Sequence, residues 1–385
     1  MQYRKLGNTG IRVSEIGFGG EYLEGKDYPV VEASIHRALD AGVNLIDIFM
    51  SEPNVRTNIG RAIEGRRSDV VIQGHFRAVW KNGQYARTLD IDETKFFFED
   101  LFARLKTDYI DIGMLHMIDN DADYRIVFEG PIYEYAKQLK SQGTIRTIGM
   151  SSHNPEIALR AVEAGLIDVL LFSLNPAYDL LEQEKDFIGP ASLSENSFES
   201  HGTLDIDPIR NRLYRTCEAK GIGITVMKSL AAGVLLDEKR SPFGMALSVP
   251  QCLHYALTRP AVASVVLGMQ TPDEVEEALR YETMEDSERD YTAVFSAKPQ
   301  FNLKGHCMYC NHCLPCVSHI NIAAVNKYLD LAQAEPSVPP TVRAHYDSLE
   351  HTAADCIACG ACEKRCPFEV PVIERMQRAQ QLFGK

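Results

Sequence analysis

Eight of the ten cysteines lie between positions 307 and 366. The first four read Cys307-Met-Tyr-Cys310-Asn-His-Cys313-Leu-Pro-Cys316, and the second four Cys356-Ile-Ala-Cys359-Gly-Ala-Cys362-Glu-Lys-Arg-Cys366-Pro367. Three thiolates separated by two residues each can wrap one face of an iron–sulfur cubane. Two such runs, each with a trailing cysteine, have the spacing of a two-cluster segment. The fourth ligand of each cluster then comes from the other run. That pairs Cys307, Cys310 and Cys313 with Cys366, and Cys356, Cys359 and Cys362 with Cys316. The first run departs from the usual form: its last gap is two residues, and Val317 stands where proline is usual. Zinc is the alternative occupant, although it favours two separated C-x2-C pairs. Disulfides are a further alternative and belong to oxidising compartments.

Composition narrows the setting. A net charge of −13 leaves no basic footprint for nucleic acid. No apolar run approaches the ~18–20 residues of a membrane helix. The opening Met1-Gln-Tyr-Arg-Lys-Leu-Gly7 lacks the apolar core of a secretory signal. A cytoplasmic chain without nucleic-acid or membrane partners is expected, where thiols stay reduced and clustered cysteines bind metal. A length of 385 residues suits two or three domains, or one large barrel plus a smaller unit.

The elements that must position this chemistry alternate. Apolar runs fall at 16–18, 43–48, 70–72, 109–115, 144–150, 169–174, 222–227 and 262–267. Helical patterns occupy 31–41, 92–105, 127–142, 155–164, 208–220 and 271–279 between them. Eight βα units over roughly 280 residues predict an α/β protein, a (β/α)8 TIM barrel. Residues 3–13 read as a hairpin in front of it. The barrel is expected over 1–290. A C-terminal, helix-rich cluster domain follows over 295–385, with a helix at 321–334 between the cysteine runs. Residues 179–207 are too long for a plain βα loop and read as an inserted cover. In such barrels chemistry sits at the C-terminal strand ends. Those ends carry Asp47, His75, His116, Ser151, Ser152, His153, Asn175, Lys228 and Gly268.

Several segments resemble the aldo/keto reductase superfamily over most of residues 1–280. They are Arg4-Lys-Leu-Gly-Asn-Thr-Gly10, Gly42-Val-Asn-Leu-Ile-Asp47, Tyr109-Ile-Asp-Ile-Gly-Met-Leu-His116, Ile145-Arg-Thr-Ile-Gly-Met-Ser-Ser152, and Gly268 with Thr271-Pro and Glu277. The C-terminal part resembles the ferredoxin-type domain carried by an iron–sulfur-containing subset of that superfamily. The resemblance implies an Asp, Tyr, Lys and His tetrad working with NAD(P)H. In it Tyr protonates the carbonyl oxygen as hydride reaches carbon, Lys and Asp depress the Tyr pKa, and His orients the carbonyl. Asp47 matches the Asp and His116 the His. Glu52 stands where the Tyr is expected, and His75 where the Lys ends the third strand. On the cofactor side, Ser151 and Ser152 resemble the pair that holds the nicotinamide amide. Leu171 falls at the usual Gln, Met227 at the stacking aromatic, and Glu274 where an Arg often meets the ribose 2′-phosphate. Gly268, Thr271 and Glu277 keep the phosphate and adenosine end, and Lys228 reads either as a group reaching a cofactor phosphate or as a solvated or ion-paired lysine.

These residues leave several chemistries open. One is NAD(P)H-driven reduction of a small carbonyl or conjugated substrate, with Glu52 or His116 as the acid. Another is a barrel fed by two [4Fe–4S] clusters from a soluble ferredoxin, with Glu52, His75 and His116 as proton donors or substrate ligands. A third is a mononuclear metal on Asp47, Glu52, His75 and His116. A non-enzymatic electron carrier with a degenerate barrel is the remaining alternative. The altered tetrad and cofactor positions predict weak nicotinamide turnover. Trp80-Lys-Asn-Gly-Gln-Tyr85 reads as a loop after the third strand, and Cys217 and Cys252 as buried small hydrophobes.

Overall fold

All eight apolar runs form strands, and the strands pair in chain order into a closed parallel barrel: β1 (Ile16–Gly19), β2 (Leu45–Ile48), β3 (Val71–Phe76), β4 (Ile110–Leu115), β5 (Ile145–Ser152), β6 (Val169–Ser173), β7 (Gly223–Met227) and β8 (Val262–Gly268). The computed structural model describes residues 1–180, 206–292, 294, 305–307, 309, 311–333, 338–366 and 368–385. The chain divides into two units, Met1–Val79 with Arg87–Asn302, and Trp80–Ala86 with Leu303–Lys385. The expected cover at 179–207 lies mostly outside the described residues, as do Cys310 and Pro367.

Strands β2, β3 and β4 are buried at every position. Such strands are covered by helices outside and packed side chains inside, which is why they read as continuous apolar runs. The N-terminal hairpin, Tyr3–Lys5 paired with Arg12–Ser14, supplies the barrel floor. Its Leu6, Ile11 and Val13 pack with Leu45, Val71, Ile112, Met114, Val169, Leu171 and Ala263 in one buried cluster. Gly7 makes that approach possible. Its φ is +54°, and a Cβ there would lie 2.3 Å from the Gly221 carbonyl oxygen.

Proline at the first turn starts the helices Pro53–Ala62, Pro131–Gln142, Pro155–Glu163, Pro208–Lys220 and Pro272–Leu279. Its missing N–H is one the first turn would leave unbonded anyway. The same chemistry breaks the expected helix at 127–142 in two, Asp121–Phe128 and Pro131–Gln142. Gly130 is extended at φ −111°, ψ −176°, as the residue before a proline prefers. The segment read as a loop at 80–85 is instead part of a hairpin, Ala78–Lys81 with Gln84–Arg87. Asn82 and Gly83 turn it with φ of +52° and +73°, the conformation that Asn-Gly favours in a two-residue turn.

The second unit is helix-rich: Ile322–Gln333, Pro340–Asp347, Ala361–Arg365 and Val372–Phe383. Ile320, Val325, Leu329, Val370, Met376 and Phe383 are among its buried side chains. The Tyr346 ring stacks on Phe383 with centroids 3.9 Å apart, and its hydroxyl accepts the Ala353 N–H.

Candidate active site

Side chains two residues apart share a strand face, and this rule assembles the site. Leu45, Val71, Ile112 and Met114 form the apolar floor inside the barrel. Two residues further along the same faces come Asp47, Gln73 and His116, then His75. These polar side chains make the next layer and are all nearly inaccessible to solvent.

Within that layer the contacts form a chain. Asp47 Oδ1 accepts from Gln73 Nε2 at 2.6 Å and from His75 Nε2 at 2.8 Å. Gln73 Oε1 in turn accepts from the Thr225 hydroxyl, so the amide is held at both ends. The Nδ1 atoms of His75 and His116 are 2.8 Å apart. The Phe49 ring stacks on His116 at 5.4 Å and meets His75 edge-on. Burial pushes the His116 imidazole well below its ordinary pKa of 6.5, and charge on His75, Arg87 and Arg77 acts in the same direction. Arg77, buried and at φ +68°, donates to the His116 carbonyl and to Asp123, bracing the loop that carries His116.

A second polar group comes from the turn after β1. Glu21 Oε2 lies 3.7 Å from Lys228 Nζ, and both side chains are largely buried. Glu21 Oε1 is buried without a hydrogen-bond partner among the described residues. Burial raises the Glu21 carboxyl above its ordinary value; the Lys228 ammonium opposes this and the Asp47 charge adds to it. Sequence reasoning missed Glu21, Gln73 and Arg77. Gln73 was legible as the residue two before His75 on the same face. Glu21 sits beyond the first strand in a 3-10 turn, where strand periodicity gives no signal.

The remaining expected residues lie elsewhere or are otherwise engaged. Glu52 caps the helix Pro53–Ala62, its Oε2 accepting the Val55 N–H at 2.6 Å, and takes no part in the Asp47–His75–His116 chain. Ser151 Oγ accepts the Met117 N–H at 2.7 Å and lies 3.5 Å from His116 Nδ1. Ser152 Oγ donates within the loop to Ile118 O and Asp119. Asp119 also bonds His153 through the ring and the backbone N–H. Burial alone would raise the Asp119 carboxyl; His153 and these bonds outweigh it and hold the group below its ordinary value. Asn175 Nδ2 donates to the Lys228 carbonyl.

At the end of β8, Gly268 packs against the Tyr22 ring, and a Cβ there would lie 2.3 Å from it. Thr271 caps the next helix by accepting the Glu274 N–H, while Glu274 Oε2 accepts the Gln270 N–H at 2.6 Å. Glu277 pairs with Arg280 at the surface. Leu171 belongs to the buried floor.

The mononuclear metal reading loses its geometry here. His75 and His116 bond each other through Nδ1, and Glu52 is spent on a helix cap. Among the described residues no three His, Cys, Asp or Glu side chains converge on a point that could hold a single ion. Cys217 and Cys252 are buried in the barrel, and burial pushes both thiols up to about 12.

In the second unit, Cys316, Cys356, Cys359 and Cys362 line one cavity of about 310 Å³. Arg365, between Cys362 and Cys366, reaches back to the first cysteine run and donates to the carbonyls of Cys313 and Pro315. Cys313 is buried, and Cys307 and Cys366 are half-buried. No described helix is long and apolar enough to cross a membrane.

Comparison with known proteins agrees with this architecture. Residues 15–247 match the aldo/keto reductase family. An uncharacterized oxidoreductase of Bacillus subtilis, YqkF, is 25% identical over 293 residues, covering 73% of this chain and 90% of that protein. L-galactose dehydrogenase of Arabidopsis thaliana is 25% identical over 312 residues, covering 72% and 86%. Among solved structures, the holo form of aldo-keto reductase AKR11C1 from Bacillus halodurans superposes with a TM-score of 0.59 at 21% identity. It covers 80% of this chain and 99% of that one. The eight-stranded barrel, the polar layer at its strand ends and the family match over 15–247 together make this chain an oxidoreductase of the aldo/keto reductase family.

Proposed function

We propose that this protein reduces a small carbonyl or conjugated organic substrate at the barrel mouth, with electrons delivered through two [4Fe–4S] clusters in a ferredoxin-like second unit. One observation carries the reading: Cys316, from the first cysteine run, lines the same cavity as Cys356, Cys359 and Cys362. A two-cluster segment requires cross-pairing between the runs, and the shared cavity supports it. Zinc would need four ligands at ~2.0–2.3 Å from one point. A cubane needs thiolates spread around a cavity wall, and the cavity these four cysteines share supports that reading over a single-ion site. When bound, the clusters supply single electrons, with a soluble ferredoxin as the proposed donor.

A nicotinamide dinucleotide fits the barrel poorly. The phosphate-end N–H of Gln270 is taken by Glu274 and that of Glu274 by Thr271. The Ser152 hydroxyl donates to Ile118 O, and the Ser151 oxygen accepts the Met117 N–H. No step is therefore assigned to NAD(P)H.

Reducing a carbonyl to an alcohol takes two electrons and two protons, and the barrel supplies the proton positions. Asp47, as a carboxylate, only accepts, so His75 carries hydrogen on Nε2. With both rings neutral, His116 Nδ1–H donates to His75 Nδ1. A proton delivered to His116 Nε2 shifts the Nδ1–H onto His75, so His116 stays neutral with its hydrogen on Nε2, ready to give to a substrate oxygen while His75 returns the shifted proton. Asp47 stabilises the His75 imidazolium while this happens, as an orienting carboxylate does beside a catalytic base. Glu21, held above its ordinary pKa, is the candidate for the second proton.

The test is an anaerobic preparation assayed for iron and acid-labile sulfide. About eight of each per chain are expected, falling to about four in Cys359→Ser. Stoichiometric zinc without sulfide would overturn the cluster reading.

A further inference from the structure

The hairpin tip at Trp80–Ala86 belongs to the second unit. There the Cys316 N–H donates to Gln84 Oε1 at 2.9 Å, a contact between residues 232 positions apart. Asn82 and Gln84 line the same cavity as Cys316, Cys356, Cys359 and Cys362. The carbonyl of that same peptide group, Pro315 O, accepts from Arg365 at 2.6 Å. Both polar ends of the Pro315–Cys316 peptide are therefore held, one by Gln84 and the other by Arg365. A peptide fixed at N–H and C=O cannot turn, so its dipole has one orientation.

Backbone N–H groups beside cluster ligands are a main control of cluster potential, because a bond to sulfur stabilises the negative charge added on reduction. The Cys316 N–H is withheld from that role by a side-chain carbonyl. We infer that Gln84 is a positioning residue for Cys316, keeping its N–H off sulfur and so lowering the reduction potential of the cluster held by Cys316, Cys356, Cys359 and Cys362. The inference rests on the cluster reading above. It assigns the hairpin after His75 a task that neither barrel catalysis nor cluster ligation gives it.

Gln84→Leu removes the acceptor and frees the N–H. Gln84→Glu keeps the acceptor and adds a negative charge near the cluster, which disfavours reduction. Wild type and both variants are purified anaerobically, assayed for iron and sulfide, and titrated potentiometrically with electron paramagnetic resonance as the readout. With iron content unchanged, one of the two midpoints is expected to rise in the Leu variant and fall in the Glu variant, while the other stays fixed. If the Leu variant loses iron, the downward shift in the Glu variant alone decides. Unchanged midpoints in protein with full iron content would overturn the Gln84 inference and leave the cluster reading standing. Equal movement of both midpoints would also overturn it. A wild-type protein without iron would overturn both.

Discussion

Asp47 accepts from His75, which in turn contacts His116, and the position of Asp47 depends on Gln73. Gln73→Leu removes the bond to Asp47 and the one from Thr225. The expected cost is ~1–3 kcal/mol of stability, from leaving buried polar groups unpaired, read by denaturant titration. His116→Ala is expected to lower kcat/KM by ~10²–10⁴-fold, the usual size of a general-acid contribution, measured on the best substrate in a panel of small aldehydes and enones. Glu52→Gln is expected to spare catalysis and cost about 0.5–2 kcal/mol through the weakened helix cap. A pH dependence follows from His116. Its folded pKa lies well below the 6.5 of the unfolded chain. Below that value the unfolded state binds the extra proton, so stability falls as pH drops from about 6.5. Asp119 acts lower: its folded pKa is below its ordinary 3.8, so its contribution is lost only under more acid conditions. Thermal melts between pH 7 and 5 should show the decline, and His116→Phe should flatten it.

At the scale of elements, the barrel was legible because buried parallel strands are continuous apolar runs, and all eight were found where those runs lie. Prolines begin the helices Pro53–Ala62 and Pro131–Gln142, a signal left unused: the first was not expected, and the second was started at 127, inside the end of Asp121–Phe128. The Asn82-Gly83 turn signal was also present and unused. Asp47, His75 and His116 were read from strand ends, and the structure brings them into one hydrogen-bonded chain, whereas Glu52 was placed by family analogy and its carboxylate caps a helix. The helix Pro208–Lys220 is anchored by a carboxylate that no sequence pattern announces. Asp179 accepts from Arg210 Nε at 2.7 Å, from the Tyr214 hydroxyl at 2.7 Å and from the Tyr255 hydroxyl at 3.0 Å, all buried. Asp179→Asn leaves Arg210 uncompensated in the core and is expected to cost ~3–5 kcal/mol. Gly7→Ala drives a Cβ into the Gly221 carbonyl and is expected to cost ~1–3 kcal/mol. For a unit of this size each kcal/mol lowers Tm by roughly 2–4 °C, which calorimetry resolves.

For the whole molecule, on the proposed reading, the two units divide the labour: the barrel supplies proton positions and the second unit thiolates, four of its cysteines lining one cavity. On the cluster reading, stripping iron with a chelator is expected to destabilise the second unit, because ligand binding free energy is then folding free energy, while the barrel retains its own unfolding transition. The source of the electrons is the point on which the functional reading turns, and one anaerobic experiment addresses it. Protein reduced in advance, then freed of reductant, is mixed with small aldehydes and enones while cluster absorbance is followed. The same substrates are then offered with NADPH alone. The expected result is reoxidation of the clusters by substrate, two electrons per molecule reduced, with no turnover from NADPH. Undiminished NADPH-driven turnover by iron-free protein would show that the barrel works as an ordinary nicotinamide enzyme and that the clusters do not feed it.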